Sequence, residues 1–267
     1  MTRLAGKVAV VIGAGQSPGV SIGNGRATTV RFLQEGASVL AVDRDVDSAR
    51  ESVAMVGGTD GLAVAADVTD SASLQAAVGA AVSRWGRVDV LHYNVGVSLA
   101  GGDQPLDELS DEAFDRVMAV NLRGAVMAAK FVEPVMRAQR SGVVVNVASM
   151  SAIETSTPLV TYRASKAGLV AFTQQLAIRN AEYGVRANAI LPGRMETAMA
   201  VDERARRSGR SREEVMAERR GLVPLQGHVG TGWDVANAAV FLASDEAGFI
   251  TGAALPVDGG ALVKIGW

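Results

Sequence analysis

The chain has 267 residues, 48% of them hydrophobic, enough for one large α/β domain with a sizeable buried core. A formal charge of −2 excludes nonspecific nucleic-acid binding, which needs a strongly basic face. Cysteine is absent, so disulfides, thiolate catalysis and cysteine-ligated zinc or iron–sulfur centres are excluded outright.

The first seven residues lead straight into an apolar run at Val8–Ile12. That run is too short for a signal-peptide core or a bilayer span, so a cytoplasmic protein with no membrane partner is expected. Further apolar, β-branched runs at Ser38–Val42, Leu62–Ala66, Val88–Tyr93, Val143–Ala148, Arg186–Leu191 and Ala254–Val257 predict strands. Helical periodicity between them predicts helices at Gly25–Glu35, Val46–Val56, Ser71–Trp85, Asp111–Ala138, Leu159–Glu182 and Trp233–Ala243. The strands are continuous runs rather than alternating ones, the habit of parallel sheets covered on both faces. Regular β-α alternation implies a doubly wound parallel sheet in a single domain spanning 1–267. Ligands then sit at the carboxyl ends of the strands.

The strand ends carry the chemistry. Strand one runs into a loop from Gly13 to Gly25 that holds five glycines, with Gly13, Gly15, Gly23, Asn24 and Gly25 as the candidate phosphate contacts. Glycines let the backbone approach a ligand closely, and the helix that follows offers free N–H groups to a pyrophosphate. Gly13 and Gly15 fit a G-x-G-x-x-G spacing, but residue 18 is Pro and nine residues separate Gly13 from Gly23, so the loop is extended. Strand two ends in Asp43, whose carboxylate can accept both adenosine ribose hydroxyls and would repel a 2′-phosphate, favouring NAD over NADP. Arg44 is the counterweight, because a guanidinium there could pair with that phosphate. Asp67-Val68 after strand three is placed to meet the adenine edge, and Asn94-Val95-Gly96 after strand four to border the ribose.

Ser149 follows strand five, and thirteen residues on, Tyr162 and Lys166 share a helix face at i and i+4. A phenol titrates near ~10 and is a poor base at neutral pH, but a neighbouring cation favours the phenolate. With a serine hydroxyl to hold a substrate oxygen, the trio makes a proton-transfer site for a carbonyl or alcohol. Beyond strand six, Val201–Arg220 is dense in Arg and Glu, either a solvated helical hairpin or a flap over the substrate, and 195–222 is expected to be a lid within the domain. His92 and His228 lie far apart, and His92 falls inside an apolar strand, so a packed core histidine and no metal site are expected.

Taken in order, these pieces resemble the short-chain dehydrogenase/reductase family over nearly the whole chain: the glycine-rich turn, Asp67, Tyr93-Asn94-Val95-Gly96, Asn121, Ser149, Tyr162 with Lys166, Pro192-Gly193, Thr197 and Val257-Asp258-Gly259-Gly260. The resemblance implies a Rossmann fold of about seven strands and an NAD(P)-dependent interconversion of a secondary alcohol and a ketone. It makes Tyr162 the general acid/base and has Lys166 bind the nicotinamide ribose and depress the tyrosine pKa. Ser149 would hydrogen-bond the substrate oxygen and Asn121 would hold a water in a proton relay. Pro192, Gly193 and Thr197 would contact the nicotinamide end, although Asn121 could simply satisfy a helix kink and Thr197 could be a helix cap. A homotetramer is implied as well.

Three departures from the family pattern stand out: the glycine loop is longer, Tyr93 and Val95 replace the usual Asn and Ala around Asn94, which would reshape the ribose contact, and Ile12 replaces a Thr. The candidate substrate lining, Ser149, Met150, Ser151, Tyr162 and Met195, is mostly apolar. It includes no cation aimed at a carboxylate, and Arg194 reads as a surface residue. Two other readings share the scaffold: an epimerase or dehydratase with no net redox change, and an NAD-binding sensor without catalysis.

Overall fold

The computed structural model describes residues 2–155, 157–225 and 229–264. Its strands are β1 (Val8–Ile12), β2 (Ser38–Asp43), β3 (Gly61–Ala65), β4 (Val90–Tyr93), β5 (Gly142–Val147), β6 (Val185–Pro192) and β7 (Ala254–Val257). Among the described residues they form one seven-stranded sheet of order β3-β2-β1-β4-β5-β6-β7, every pair parallel. Helices α1 (Asn24–Gln34), α2 (Val46–Ala54) and α9 (Gly232–Ala243) cover one face, and α3 (Ser71–Trp85), α5 (Gly124–Gln139) and α6 (Val160–Asn180) the other.

The strand period of two divides each run between the two layers. Val10 and Ile12 point into the layer with α3, α5 and α6, while Ala9 and Val11 point into the layer with α1, α2 and α9. The expectation of strands buried on both faces holds for β1, β4 and β5, whose residues are nearly all buried. It fails at the sheet edges. β3 alternates between partly buried and exposed residues, and β7 is nowhere fully buried, because each has a neighbour on one side only.

Two long predicted helices differ in form. The segment beginning at Asp111 is interrupted: α4 (Asp111–Met118) passes into a π-turn (Ala119–Arg123) before α5 begins. The second, α6, ends at Asn180 and closes with a 3₁₀ turn at Ala181–Tyr183. The Arg- and Glu-rich stretch forms α7 (Glu203–Ser208) and α8 (Arg212–Gly221), entered through a second π-turn at Ala198–Asp202.

β1 pairs with β2 on one side and β4 on the other, so the chain reverses its winding there. The crevice outside the carboxyl ends of β1 and β4 is where such a sheet takes a ligand.

Candidate active site

The glycine turn after β1 is shaped by close approach. Gly13 sits at φ +82, and a Cβ there would lie 2.8 Å from Val95 Cγ2. A Cβ on Gly25 would lie 1.7 Å from the Gly13 carbonyl oxygen, so α1 can start against β1 only with glycine at that position. Asn94 Nδ2 donates to the same carbonyl (3.1 Å), tying the end of β4 to the turn. Gly23 stands at the N-cap of α1 with no side-chain cap, which leaves the first-turn N–H groups to a ligand. This cradle fits a dinucleotide pyrophosphate.

At the end of β2, Asp43 Oδ2 accepts the Gly15 N–H (2.9 Å) and Oδ1 the Asp45 N–H (3.1 Å). Arg44 is exposed beside it. Asp67 Oδ1 accepts both the N–H (2.8 Å) and the hydroxyl (2.7 Å) of Thr69, bonds that hold its carboxyl below the usual range. Val68 is buried next to it. Tyr93, which precedes Asn94, packs inward. Its fully buried phenol turns away and donates to the Val120 carbonyl (2.6 Å), under the π-turn.

Asn121 lies in that π-turn, and its amide is fully used. Oδ1 accepts the Val97 N–H (2.7 Å), and Nδ2 donates to the Val97 carbonyl (2.9 Å) and to Ser165 Oγ (3.0 Å). The side chain therefore pins the loop after β4 to α6.

Ser149 follows β5, nearly buried; its hydroxyl accepts the Ser151 N–H (3.1 Å) and stands near enough to the Tyr162 phenol to lower its pKa. Burial pushes the Tyr162 phenol up, while the Ser149 hydroxyl and the positive charge of Arg219 pull it down. Lys166 lies over the tyrosine ring, Nζ 5.9 Å from its centroid, and donates to the Val147 carbonyl (2.8 Å). Burial lowers its pKa to about 8. The positive charge of Arg219 from α8 thus reaches the phenol as well, in addition to the Lys166 ammonium that the i, i+4 spacing places over the ring. Gly96 faces the same ammonium, and a Cβ there would lie 3.0 Å from Nζ.

Two residues escaped the sequence reading. Asp103 is buried at 1% exposure, and its carboxylate accepts the N–H groups of Thr161 (3.3 Å) and Tyr162 (2.7 Å). It caps α6 from a distant loop, since the helix's own N-cap residue, Leu159, provides no side-chain acceptor. The other is Arg219. Helical spacing signals it, standing four residues after buried Val215 and three after buried Met216. Asp103 had no comparable sequence signal, because its helix lies 58 residues further on.

Past β6, Gly193 packs on Asp258 with room for no Cβ (2.6 Å) and donates its N–H to Val257 (2.9 Å). Pro192 ends the strand, and Thr197 caps the π-turn by accepting the Ala200 N–H (3.3 Å). Met150 and Met195 are both largely buried, and Ser151 is partly exposed. Arg194 is not a free surface residue. It is half-buried and paired with Glu154 (2.8 Å). The extended glycine loop reaches across to the same region: Ser21 bonds Glu196 (3.2 Å) and Arg212 (2.6 Å), and Arg212 also pairs with Glu196. His92 is fully buried edge-on to Phe32 (5.9 Å) with both ring nitrogens unpartnered, the core histidine expected. His228 lies outside the described residues.

The model of the enoyl-(acyl carrier protein) reductase family matches residues 19–261. A 3-oxoacyl-(acyl-carrier-protein) reductase of Thermotoga maritima is 36% identical over 98% of this chain and 100% of its own length. The levodione reductase of Leifsonia aquatica is 34% identical over 97% of this chain and 95% of its own. The crystal structure of a Burkholderia xenovorans chain assigned to the short-chain dehydrogenases/reductases superposes with a TM-score of 0.93 at 40% identity, covering 100% of both chains. These full-length matches show that the chain belongs to the short-chain dehydrogenase/reductase family, as an oxidoreductase that works with a nicotinamide cofactor.

Proposed function

We propose that this protein interconverts a secondary alcohol and a ketone with NAD, using Tyr162 as general acid/base. The observation that carries the reading is the buried Lys166 ammonium held over the Tyr162 ring (5.9 Å to its centroid), with Ser149 beside them at the end of β5. In oxidation the Tyr162 phenolate takes the hydroxyl proton, and in reduction the phenol returns it. Ser149 holds the substrate oxygen and directs it at the phenol. Lys166, fixed by Val147, would present its ammonium to the nicotinamide ribose while staying close to Tyr162. When bound, the dinucleotide supplies the hydride acceptor or donor. Gly13, Gly15, Gly23, Asn24 and Gly25 hold its pyrophosphate, Asp67 and Val68 its adenine, and Asn94 and Gly96 its ribose. Pro192, Gly193 and Thr197 border the nicotinamide, and Asn121 positions rather than relays. Residues 195–222 cover Ser149, Met150, Ser151, Tyr162 and Met195 as a lid.

NAD is favoured over NADP because the Asp43 carboxylate sits where a 2′-phosphate would fall. Arg26 is no counter-charge for such a phosphate, since its guanidinium is held by Glu51 (2.8 Å) and Ser48 (3.1 Å).

Assay of secondary alcohols with NAD and NADP at 340 nm reads cofactor and reaction together. Steady growth of NADH absorbance is expected, and it distinguishes an oxidoreductase from an epimerase, which shows none. Tyr162→Phe should lower kcat at least a hundredfold, in line with the usual worth of a positioned acid/base, with NAD binding unchanged. A Tyr162→Phe enzyme at near-wild-type rate would sink the mechanism.

We further propose a cytoplasmic homotetramer. No described helix is long and apolar enough to cross a membrane. Support for the assembly comes from two separate apolar surfaces. One is a shallow groove of about 490 Å³ along α4 and α5, lined by Met118, Ala119, Leu122 and Val126. The other is the β7 edge beside Phe249, which is fully exposed.

A further inference from the structure

Helix α8 closes over the site with an inward stripe. Val215 (1% exposed) and Met216 (5%) complete a small core with Val201 and Ala205. Arg219 continues that stripe and is carried inward with it. Its Nη2 donates to the Met195 carbonyl (3.1 Å), while its Nε is buried and has no hydrogen-bond partner. A buried N–H left without an acceptor is destabilising, the more so on a charged group.

The acids nearby are committed elsewhere. Glu218 pairs with Arg210 (2.5 Å), Glu154 with Arg194 (2.8 Å), and Glu196 and Asp202 with Arg212. Arg194 and Arg204 surround Arg219 with like charge, and burial together with that repulsion lowers its pKa to about 10. Its charge reaches Tyr162 and favours the phenolate. Among the described residues no carboxylate is hydrogen-bonded to Arg219, although the charge of Glu218 offsets part of the repulsion, and this cation acts on the proton-transfer tyrosine. Nε–H and the second Nη2 hydrogen form one planar edge, the edge that binds a carboxylate with two parallel hydrogen bonds.

We propose that the substrate carries a carboxylate and that Arg219 receives it, with the reacting carbinol or ketone held at Ser149 and Tyr162. Arg219 is then a specificity-determining residue supplied by the lid, and closure of α8 depends on the charge of the substrate. This assignment rests on the oxidoreductase reading above and deepens it.

The test is a ladder of secondary alcohols, 3-hydroxybutanoate, 4-hydroxypentanoate and 5-hydroxyhexanoate, each assayed with NAD as the acid and as its methyl ester. Wild type, Arg219→Met and Arg219→Lys are compared. The wild type should prefer at least one acid over its ester by about tenfold or more in kcat/KM, the worth of a hydrogen bond to a charged group. Arg219→Met should lower kcat/KM for that acid, through KM, by about tenfold or more beyond whatever change the ester shows, so that the acid preference is lost. Arg219→Lys should recover part of the acid rate, because it keeps the charge and loses the fork. Fluorescence titration of the NADH complex with hexanoate and hexanamide reads the same preference without turnover. Equal affinity for both in wild type overturns the assignment. So does an Arg219→Met enzyme that slows acid and ester alike while shifting the pH profile, because Arg219 then only tunes Tyr162. Ester turnover that needs Tyr162 but shows no acid preference removes the Arg219 assignment and leaves the oxidoreductase reading standing.

Discussion

His92 shows what a single buried side chain does to the pH response of this fold. It sits in β4 at 0% exposure, against the edge of Phe32, with neither ring nitrogen paired. Burial lowers its pKa from 6.5 to about 3, so the folded protein keeps the ring neutral. The unfolded chain binds the proton near pH 6.5 and the folded chain does not until near pH 3. Between those values the unfolded state holds more protons, and stability falls as pH falls. From pH 7 to pH 5 the loss from this one residue is about 2 kcal/mol, at ~1.36 kcal/mol per pH unit below the unfolded pKa. Denaturant melts of wild type and His92→Leu at both pH values should therefore differ in slope by about that amount. Parallel pH dependence in the two proteins would show that the ring is protonated in the fold. The position of His92 inside an apolar run already suggested a packed ring, because a strand between two others has no polar face to offer it.

At the scale of elements, the site depends on how α6 begins. Tyr162 lies in the helix's first turn, and the helix brings no cap of its own, so the Asp103 carboxylate serves two of its open N–H groups. A carboxylate at a helix N-terminus is favoured by both hydrogen bonding and the helix dipole. Asp103→Ala should cost about 1–2 kcal/mol, the usual worth of a lost cap, and lower Tm by roughly 3–6 °C. It should also reduce kcat with little change in cofactor KM, because the first turn that aims the phenol is loosened while the glycine cradle is untouched. Asp103→Asn, which keeps an acceptor oxygen, should recover most of both losses. An Asp103→Ala enzyme with lowered Tm but unchanged kcat would make the cap structural only.

This dependence also marks the limit of what could be read beforehand. Val8–Ile12 and Ala254–Val257 were legible to the residue, because each is a short apolar run set off by turn or polar residues, Lys7 and Gly13 for the first, Gly252 and Asp258 around the second. Ser149, Tyr162 and Lys166 were legible as chemistry for the same local reason, two of them sharing one helix face. The π-turn at Ala119–Arg123 was not, since periodicity runs through it smoothly and only tertiary packing, with Tyr93 bonded to Val120 beneath it, opens the extra residue. Nor was the capture of Tyr162 by Arg219 and Asp103, which depends on loops meeting across the sheet's carboxyl edge. Local pattern finds groups that act from their own element and misses those delivered by another.

The whole molecule ends in two surfaces that a lone chain leaves in water. Phe249 is fully exposed, next to β7, an edge strand with one side of its backbone unpaired. Exposed sheet edges are usually shortened, charged or covered, and this one is short but carries an aromatic neighbour. The second surface, on α4 and α5, adds Phe114 at 43% exposure to the groove residues Met118 and Leu122. Each surface can pair with its own copy through a two-fold axis, and two different two-fold contacts on one chain generate a D2 tetramer. A large exposed apolar residue beside an open edge marks an association site more often than an isolated surface residue does. Light scattering at micromolar concentration should give four chains for the wild type. Phe249→Asp should give two, held by the α4–α5 contact, and Leu122→Glu should give two, held by the β7 edge. The double variant should run as a monomer. Since the β7 edge includes none of Ser149, Tyr162, Lys166 or Arg219, Phe249→Asp should keep its kcat within about threefold, as expected of sites that share no contacts. A wild-type monomer would remove the assembly, and a Phe249→Asp tetramer would move the second contact away from the β7 edge.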